Sequence, residues 1–425
     1  MNKLILALIM LPMPALGQTL EECQQAAEKN YPLIQQYGLI EKTTELTVAN
    51  IQKGWLPQVS VQAQATYQNK VVAWPDEMRP MMSGMGINME GLKKDQYRVG
   101  IDVQQTIYDG GVMGSQKRIA REQGKVQEAQ NEVNIYNVRK RVNEMYFGLL
   151  LIDEKIKLNT DLQTLLEGNE RELESMTERG TAAESDLQSV RAERLNAVQK
   201  GIELESQKQM LLRMLSTFCG LEVKEVSKPQ ATAEDGGLMA ENRRPELRAL
   251  DAQIGVLNAQ EKALNAALMP KIGAFAQGYY GYPGLNMFED MMRHQWSWNG
   301  IVGARLTWNI GALYTRKNDK AKLQLQRDLT ENNREVFLFN NNLDQIRQRE
   351  NIERYRKLMV QDGEIISLRR AVRKAAESKL THGIIDANDL VREINQEHAA
   401  CVQHSVHEIE MLKEIYDNKY TIGEK

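Results

Sequence analysis

The chain has 425 residues, with 54 Lys and Arg against 57 Asp and Glu and a formal net charge of −3. A balance this even lacks the basic footprint that nucleic-acid binding requires. Cys23, Cys219 and Cys401 are an odd number of thiols far apart in sequence, so they cannot all pair internally; they read as small buried or partly buried side chains rather than a disulfide framework.

Met1 and Lys3 precede an apolar run from Leu4 to Leu11, and Ala15-Leu16-Gly17 supplies small residues at the cleavage positions before Gln18. Residues 1–17 therefore read as a secretory signal. The run is shorter than the roughly 20 residues that a spanning helix needs, and no later stretch is long and apolar enough. If the mature chain enters a membrane, it must do so as strands. Gln18 is not a cysteine and no small residue immediately precedes Cys23, so an N-terminal lipid anchor is not indicated.

The remainder of the chain carries one pattern twice. Tyr31-Pro32 and Arg244-Pro245 each stand 25 residues before a second proline, Pro57 and Pro270, which opens an alternating segment. Val99-Gly100 pairs with Val302-Gly303, Gly180 with Gly383, and Asp186-Leu187 with Asp389-Leu390, all at an offset of 203. A duplicated unit is the simplest explanation. The first unit is expected over 18–219, with a helical arm between Pro32 and Pro57, strands at 58–70 and 97–108 and helices at 112–178 and 183–218. A link at 220–243, carrying Lys228-Pro229 and Asp235-Gly236-Gly237, leads to the second unit over 244–415. There a helical arm ending at Met269 is expected first, then strands at 271–280 and 296–310 and helices at 312–378 and 387–415, followed by a tail at 416–425.

The first strand is the cleanest pattern. Val59, Val61, Ala63, Ala65 and Tyr67 alternate with Ser60, Gln62, Gln64, Thr66 and Gln68, giving one apolar and one polar face. Val99, Ile101, Val103 and Ile107 repeat it, as do Trp298, Val302, Ala304 and Leu306; the segment from Lys271 to Tyr280 alternates poorly. All four have the roughly 9 to 11 residues of a transmembrane strand. Trp55, Trp74, Trp296, Trp298 and Trp308 lie in or beside these segments, as aromatics do at a membrane interface. A sheet packed on a soluble core would alternate in the same way. In lipid, four strands cannot close a barrel, which takes about eight, so such a chain must assemble.

Residues 112–178 contain no proline and would form a rod of roughly 100 Å. Val138, Val142, Met145, Leu149, Ile152 and Ile156 step through it as a heptad seam. Rods of this length exclude a single globular core.

The duplicated proline-bounded arms, the Thr106-Ile107-Tyr108-Asp109-Gly110-Gly111 exit from the second strand, its Trp308-Asn309-Ile310-Gly311 counterpart and the two turn segments from Gly180 to Leu187 and Gly383 to Leu390 resemble the TolC-like outer-membrane efflux protein family. The resemblance covers essentially the whole mature chain. It implies an α+β membrane protein: a homotrimer whose four strands per chain make one 12-stranded outer-membrane β-barrel, continued by a periplasmic helical coiled-coil barrel. It also implies partners, namely outer-membrane lipid, a periplasmic adaptor and an inner-membrane RND or ABC transporter, in a Gram-negative bacterium. The implied role is the exit duct of a tripartite efflux pump for small molecules, with a type I protein secretion duct or a copper or silver duct as alternatives. A poreless periplasmic scaffold is the reading outside transport.

In that family an acid six residues after the turn glycine lies near the periplasmic entrance, which carries over to Asp186 and Asp389. Where a second acid would follow, this chain has Arg392, so the gate is not wholly acidic. A carboxylate in the first turn of a helix is also favoured by the helix dipole, and both roles stay open. The resemblance puts adaptor docking at the turns, at Gly180, Thr181, Gly383 and Ile384.

Reactive side chains offer less. His398, Cys401, His404 and His407 recur every three residues, but such a run winds about 180° around a helix and cannot converge on one ion. His398, Cys401 and His404 remain weaker metal candidates. Met78, Met81, Met82, Met85 and Met89 in one loop, and Met287, Met291, Met292 and His294 in its counterpart, read first as gap-filling. Met411 stands where a zincin helix beginning at His407-Glu408 needs its second histidine. No enzyme and no cofactor are expected.

Overall fold

A computed structural model describes residues 17–86, 91–230 and 242–424. Most of the expected signal, Met89 and the Asp235-Gly236-Gly237 stretch lie outside the described residues. The chain forms two compact units, one comprising residues up to Tyr37, Glu128–Ala249 and Asn332 onward, the other Gly38–Gln127 and Leu250–Glu331.

The second unit holds a four-stranded antiparallel sheet in the order β1 (Gln58–Tyr67), β2 (Asp95–Tyr108), β3 (Lys271–Tyr282), β4 (Ser297–Thr307). Its register makes the apolar alternation continuous. Val59 lies opposite Val103, which faces Ala276, which faces Val302; Ala63, Val99, Tyr280 and Trp298 form another such row. The weak alternation of β3 has a physical cause. Phe275 lies on the polar face against Gly303, where a Cβ would meet its ring at 2.7 Å, and Arg305 sits 5.1 Å over the same ring. Tyr279 similarly covers Gly100. Two aromatics thus fill glycine gaps that become visible only when the strands pair.

β4 is shorter than the expected 296–310, because the chain turns at Asn309, whose carbonyl accepts the Ala312 N–H at 3.4 Å. Helices α2 (Gln36–Gln52) and α6 (Pro245–Ala267) precede β1 and β3. Short helices α3 (Arg79–Ser83) and α7 (Met287–Arg293) occupy the strand-connecting loops.

The first unit is helical. It contains α1 (Leu20–Asn30), α5 (Glu184–Cys219), α9 (Ala387–Ile422) and most of the long helices α4 (Val112–Glu178) and α8 (Ala312–Thr381). α1 was not anticipated from the sequence. A capping box fixes its start, with the Thr19 hydroxyl accepting from the Glu22 N–H at 3.2 Å and the Glu22 carboxylate from the Thr19 N–H at 2.9 Å. Its Leu20, Cys23 and Ala27 join the α4 seam of Val138, Val142, Met145 and Leu149, together with Leu215 of α5 and Ile409 of α9.

The expected tail at 416–425 is instead helix up to Ile422. No breaker occurs before Gly423, and Tyr420 stacks on Tyr136 at 4.8 Å with the Arg244 guanidinium 4.5 Å from its ring. Among the described residues no helix is long and apolar enough to cross a membrane.

Candidate functional site at the helical turns

The two turns that end the long helices are built alike. After α4, the Gly180 N–H donates to the Thr177 carbonyl and the Thr181 N–H to that of Met176, both at 2.9 Å. After α8, the Gly383 N–H donates to Leu380 and the Ile384 N–H to Lys379, again at 2.9 Å. This crossed pair satisfies the orphan carbonyls of a helix end and needs a left-handed residue at its centre. Gly180 and Gly383 supply it with φ of 71° and 70° and open space around each. Thr181 and Ile384 are exposed beside them.

Each turn leads into a helix anchored by an apolar side chain. Leu187 and Leu390 are buried among Leu166, Leu173, Val190, Leu380 and Ile394. The preceding aspartates are only partly covered and differ in what they do. Asp389 pairs with Arg392 at 3.0 Å, and the Arg392 guanidinium also approaches Glu393 at 3.6 Å. Asp186 does not cap its own helix; its Oδ1 stands 3.5 Å from the Ala387 N–H at the start of α9. The α9 cap itself is Asp386, whose side chain accepts the Asp389 N–H at 2.9 Å, whereas the α5 cap, Ala183, offers no side-chain bond.

Deeper along the hairpins lies a feature that the sequence did not reveal. Glu170 of α4 is buried and accepts from Arg191 at 2.7 Å and Arg194 at 2.5 Å on α5. The hydrogen bond from Arg191 leads in holding its carboxyl below the usual glutamate range. At an offset of 203 the charges are exchanged, with Arg373 on α8 bonded to Glu397 on α9. Comparing the signs of charge at that offset would have revealed it.

The three metal candidates do not share one pocket. His398 and Cys401 line one pocket with Arg370, Glu397 and Leu162, and burial pushes the imidazole pKa down and the thiol pKa up. His404 and His407 instead face the buried Asp362 of α8, with Nδ1 atoms 3.6 and 2.7 Å from its Oδ2. Among the described residues no group of three or more His, Cys, Asp or Glu side chains is arranged to hold a metal.

The tryptophans fall at both ends of the sheet. Trp55 precedes β1 and Trp308 follows β4, its indole N–H donating to the Leu268 carbonyl at 3.0 Å. At the opposite end, Trp296 and Trp298 lie 5.4 and 5.1 Å from Tyr280, while Trp74 lies 5.5 Å from Phe288 in the loops. In those loops Met291 is buried, while Met78, Met81, Met85, Met287 and Met292 are exposed.

Residues 24–221 match the outer membrane efflux protein family. No curated protein sequence matches the chain. Among solved structures, the fold is similar to the outer-membrane channel OprN at 14% identity, with 96% of this chain and 90% of that one covered and a TM-score of 0.66. It is also similar to the Campylobacter jejuni CmeC outer membrane channel (13% identity, 95% and 85% covered, TM-score 0.62). The open state of the Neisseria gonorrhoeae MtrE outer membrane channel is comparable (14% identity, 95% and 89% covered, TM-score 0.62). The outer membrane efflux protein family thus matches over residues 24–221, and the chain shares the fold of these channels along nearly its whole length.

Proposed function

We propose that the protein is an outer-membrane efflux duct that works as a homotrimer, with β1 of one copy pairing with β4 of the next to close a 12-stranded barrel. One observation carries this reading. Among the described residues the sheet ends at β1 and β4, and its continuous apolar face is bare, with Trp298 82% and Val302 84% exposed. Unpaired strand edges are untenable in lipid, where every backbone N–H and C=O needs a partner. A bare apolar face is untenable in water. Closure among copies within a membrane resolves both.

The barrel lies in the outer membrane of a Gram-negative cell, with the aromatics at both sheet ends at its interfaces. The helices of three copies continue as a periplasmic tunnel. The duct carries small molecules, drugs among them, from a tripartite pump. Its partners are a periplasmic adaptor received at Gly180, Thr181, Gly383 and Ile384, and an inner-membrane transporter.

Asp186, Asp389 and Arg392 form the periplasmic gate. The exposed Asp389–Arg392 pair is worth about 0 to 1 kcal/mol, weak enough to yield on docking. That MtrE was solved in an open state supports a gate that can open. Replacing Asp389 and Arg392 together with alanine is expected to raise single-channel conductance in planar bilayers. Unchanged conductance in an assembled channel assigns the gate elsewhere and leaves Asp389 with a helix-start role only. Resistance to a carbonate wash of the outer-membrane fraction separates the duct from a poreless scaffold, which would be released.

A further inference from the structure

The segment ahead of Pro32 is fixed to the far end of α5 by contacts on both sides of a cysteine pair. At one side, Gln18 bridges Val226, its N–H donating to the Glu225 carbonyl at 3.0 Å and its carbonyl accepting from the Ser227 N–H at 3.1 Å and the Tyr146 hydroxyl at 2.8 Å. At the other, the Asn30 amide donates to the Thr217 and Phe218 carbonyls at 3.2 Å and lies against Gly220, while Tyr31 stacks on Phe218 at 5.5 Å. Between these anchors stand Cys23 of α1 and Cys219, the last residue of α5. Both are buried, at 1% and 3% exposure, within one apolar cluster. The Cys219 thiol donates to the Cys23 carbonyl oxygen at 3.4 Å.

We infer that Cys23 and Cys219 form a disulfide in the exported protein, covalently tying α1 to the end of α5, while Cys401 stays a thiol. Two buried cysteines in one cluster, with the thiol of one against the backbone of the other, need little backbone movement to meet disulfide geometry, and structural disulfides persist in oxidising compartments such as the periplasm. The anchors at Gln18 and Asn30 hold the two helices together with or without the bond, so docking itself delivers the pair. Cys401 lies elsewhere, in the pocket with His398 and Glu397, which accounts for the odd thiol.

Oxidation requires a disulfide acceptor of the thiol-oxidase class. One thiolate attacks the acceptor disulfide and forms a mixed disulfide, releasing one acceptor sulfur. The second thiolate then attacks the protein sulfur of that mixed disulfide and releases the other. The protein loses two protons and two electrons, and the acceptor leaves as a dithiol. Cys219 beside it and burial hold the Cys23 thiol well above the usual cysteine range, so the first attack on the acceptor precedes docking of α1, and docking then brings the second thiol to the mixed disulfide.

The inference rests on the proposed exported location, and the test keeps the two apart. Protein recovered from the outer-membrane fraction is denatured in N-ethylmaleimide with and without prior reduction. One label without reduction, at Cys401, and three after it are expected, with a peptide joining Cys23 to Cys219 in the unreduced digest. Cys219→Ser should then show two labels without reduction, at Cys23 and Cys401. Three labels in unreduced wild-type protein, or a disulfide peptide containing Cys401, overturn the pairing and leave the export reading intact. Protein found outside the membrane fraction fails the outer-membrane reading. Refolding reduced, purified protein in oxidised glutathione then decides the pairing alone, by the presence or absence of the Cys23–Cys219 peptide.

Discussion

The hairpin of α4 and α5 and the hairpin of α8 and α9 reach the same backbone by different side chains. Both turn on a left-handed glycine with the same crossed hydrogen bonds, and both bury a leucine one residue after an aspartate. Their polar interiors diverge. Glu170 faces Arg191 and Arg194 in the first hairpin, whereas Arg373 faces Glu397 in the second. Asn159 donates to the Ala197 carbonyl in the first, and at an offset of 203 Asp362 receives His407 in the second. The turn and the apolar seam admit one solution, while the sign of a buried pair is free once its partner compensates. That freedom lets two hairpins of one fold carry different polar interiors.

The apolar seam should show the largest effect. Leu390→Ala empties a fully buried site and Leu187→Ala a nearly buried one, and each is expected to cost about 2 to 5 kcal/mol. Denaturant unfolding followed by a probe on each hairpin checks this, with the larger loss at Leu390.

Charge exchange tests whether sign is free. Glu397 also accepts from Arg370 at 3.1 Å, so Glu397→Arg opposes the guanidiniums of both Arg370 and Arg373 and should cost about 3 kcal/mol or more. Adding Arg373→Glu to it should recover most of the loss. A double variant no more stable than the single one would mean that sign is dictated by further neighbours, as a double-mutant cycle would reveal. The helix starts should give the smallest shift. Asp386→Ala removes the α9 cap at about 1 kcal/mol, and Ala183→Asp should gain a similar or smaller amount at α5. Thermal melts of the two variants, moving in opposite directions, test the asymmetry.

Much of the fold was legible because its strongest signals are local. The Val59–Tyr67 alternation and the unbroken run from Val112 to Glu178 each carry their period within one segment. β3 was faint because Phe275 and Tyr279 fill gaps over Gly303 and Gly100 on neighbouring strands, a relation that no single strand contains. The helix at Leu20–Asn30 stayed hidden although Thr19 and Glu22 spell a capping box, because it is short and directly abuts the expected cleavage site. At the turns, glycine and aspartate spacing marked the candidate residues, but not that Asp186 reaches the start of α9. That contact joins groups 201 positions apart and arises only from packing.

The central claim is that the sheet is one third of a shared barrel. Native mass measurement of the protein extracted from the outer membrane in mild detergent tests it most directly. The account predicts a particle of three copies that survives detergent exchange, and a stable monomer or any other copy number would contradict it.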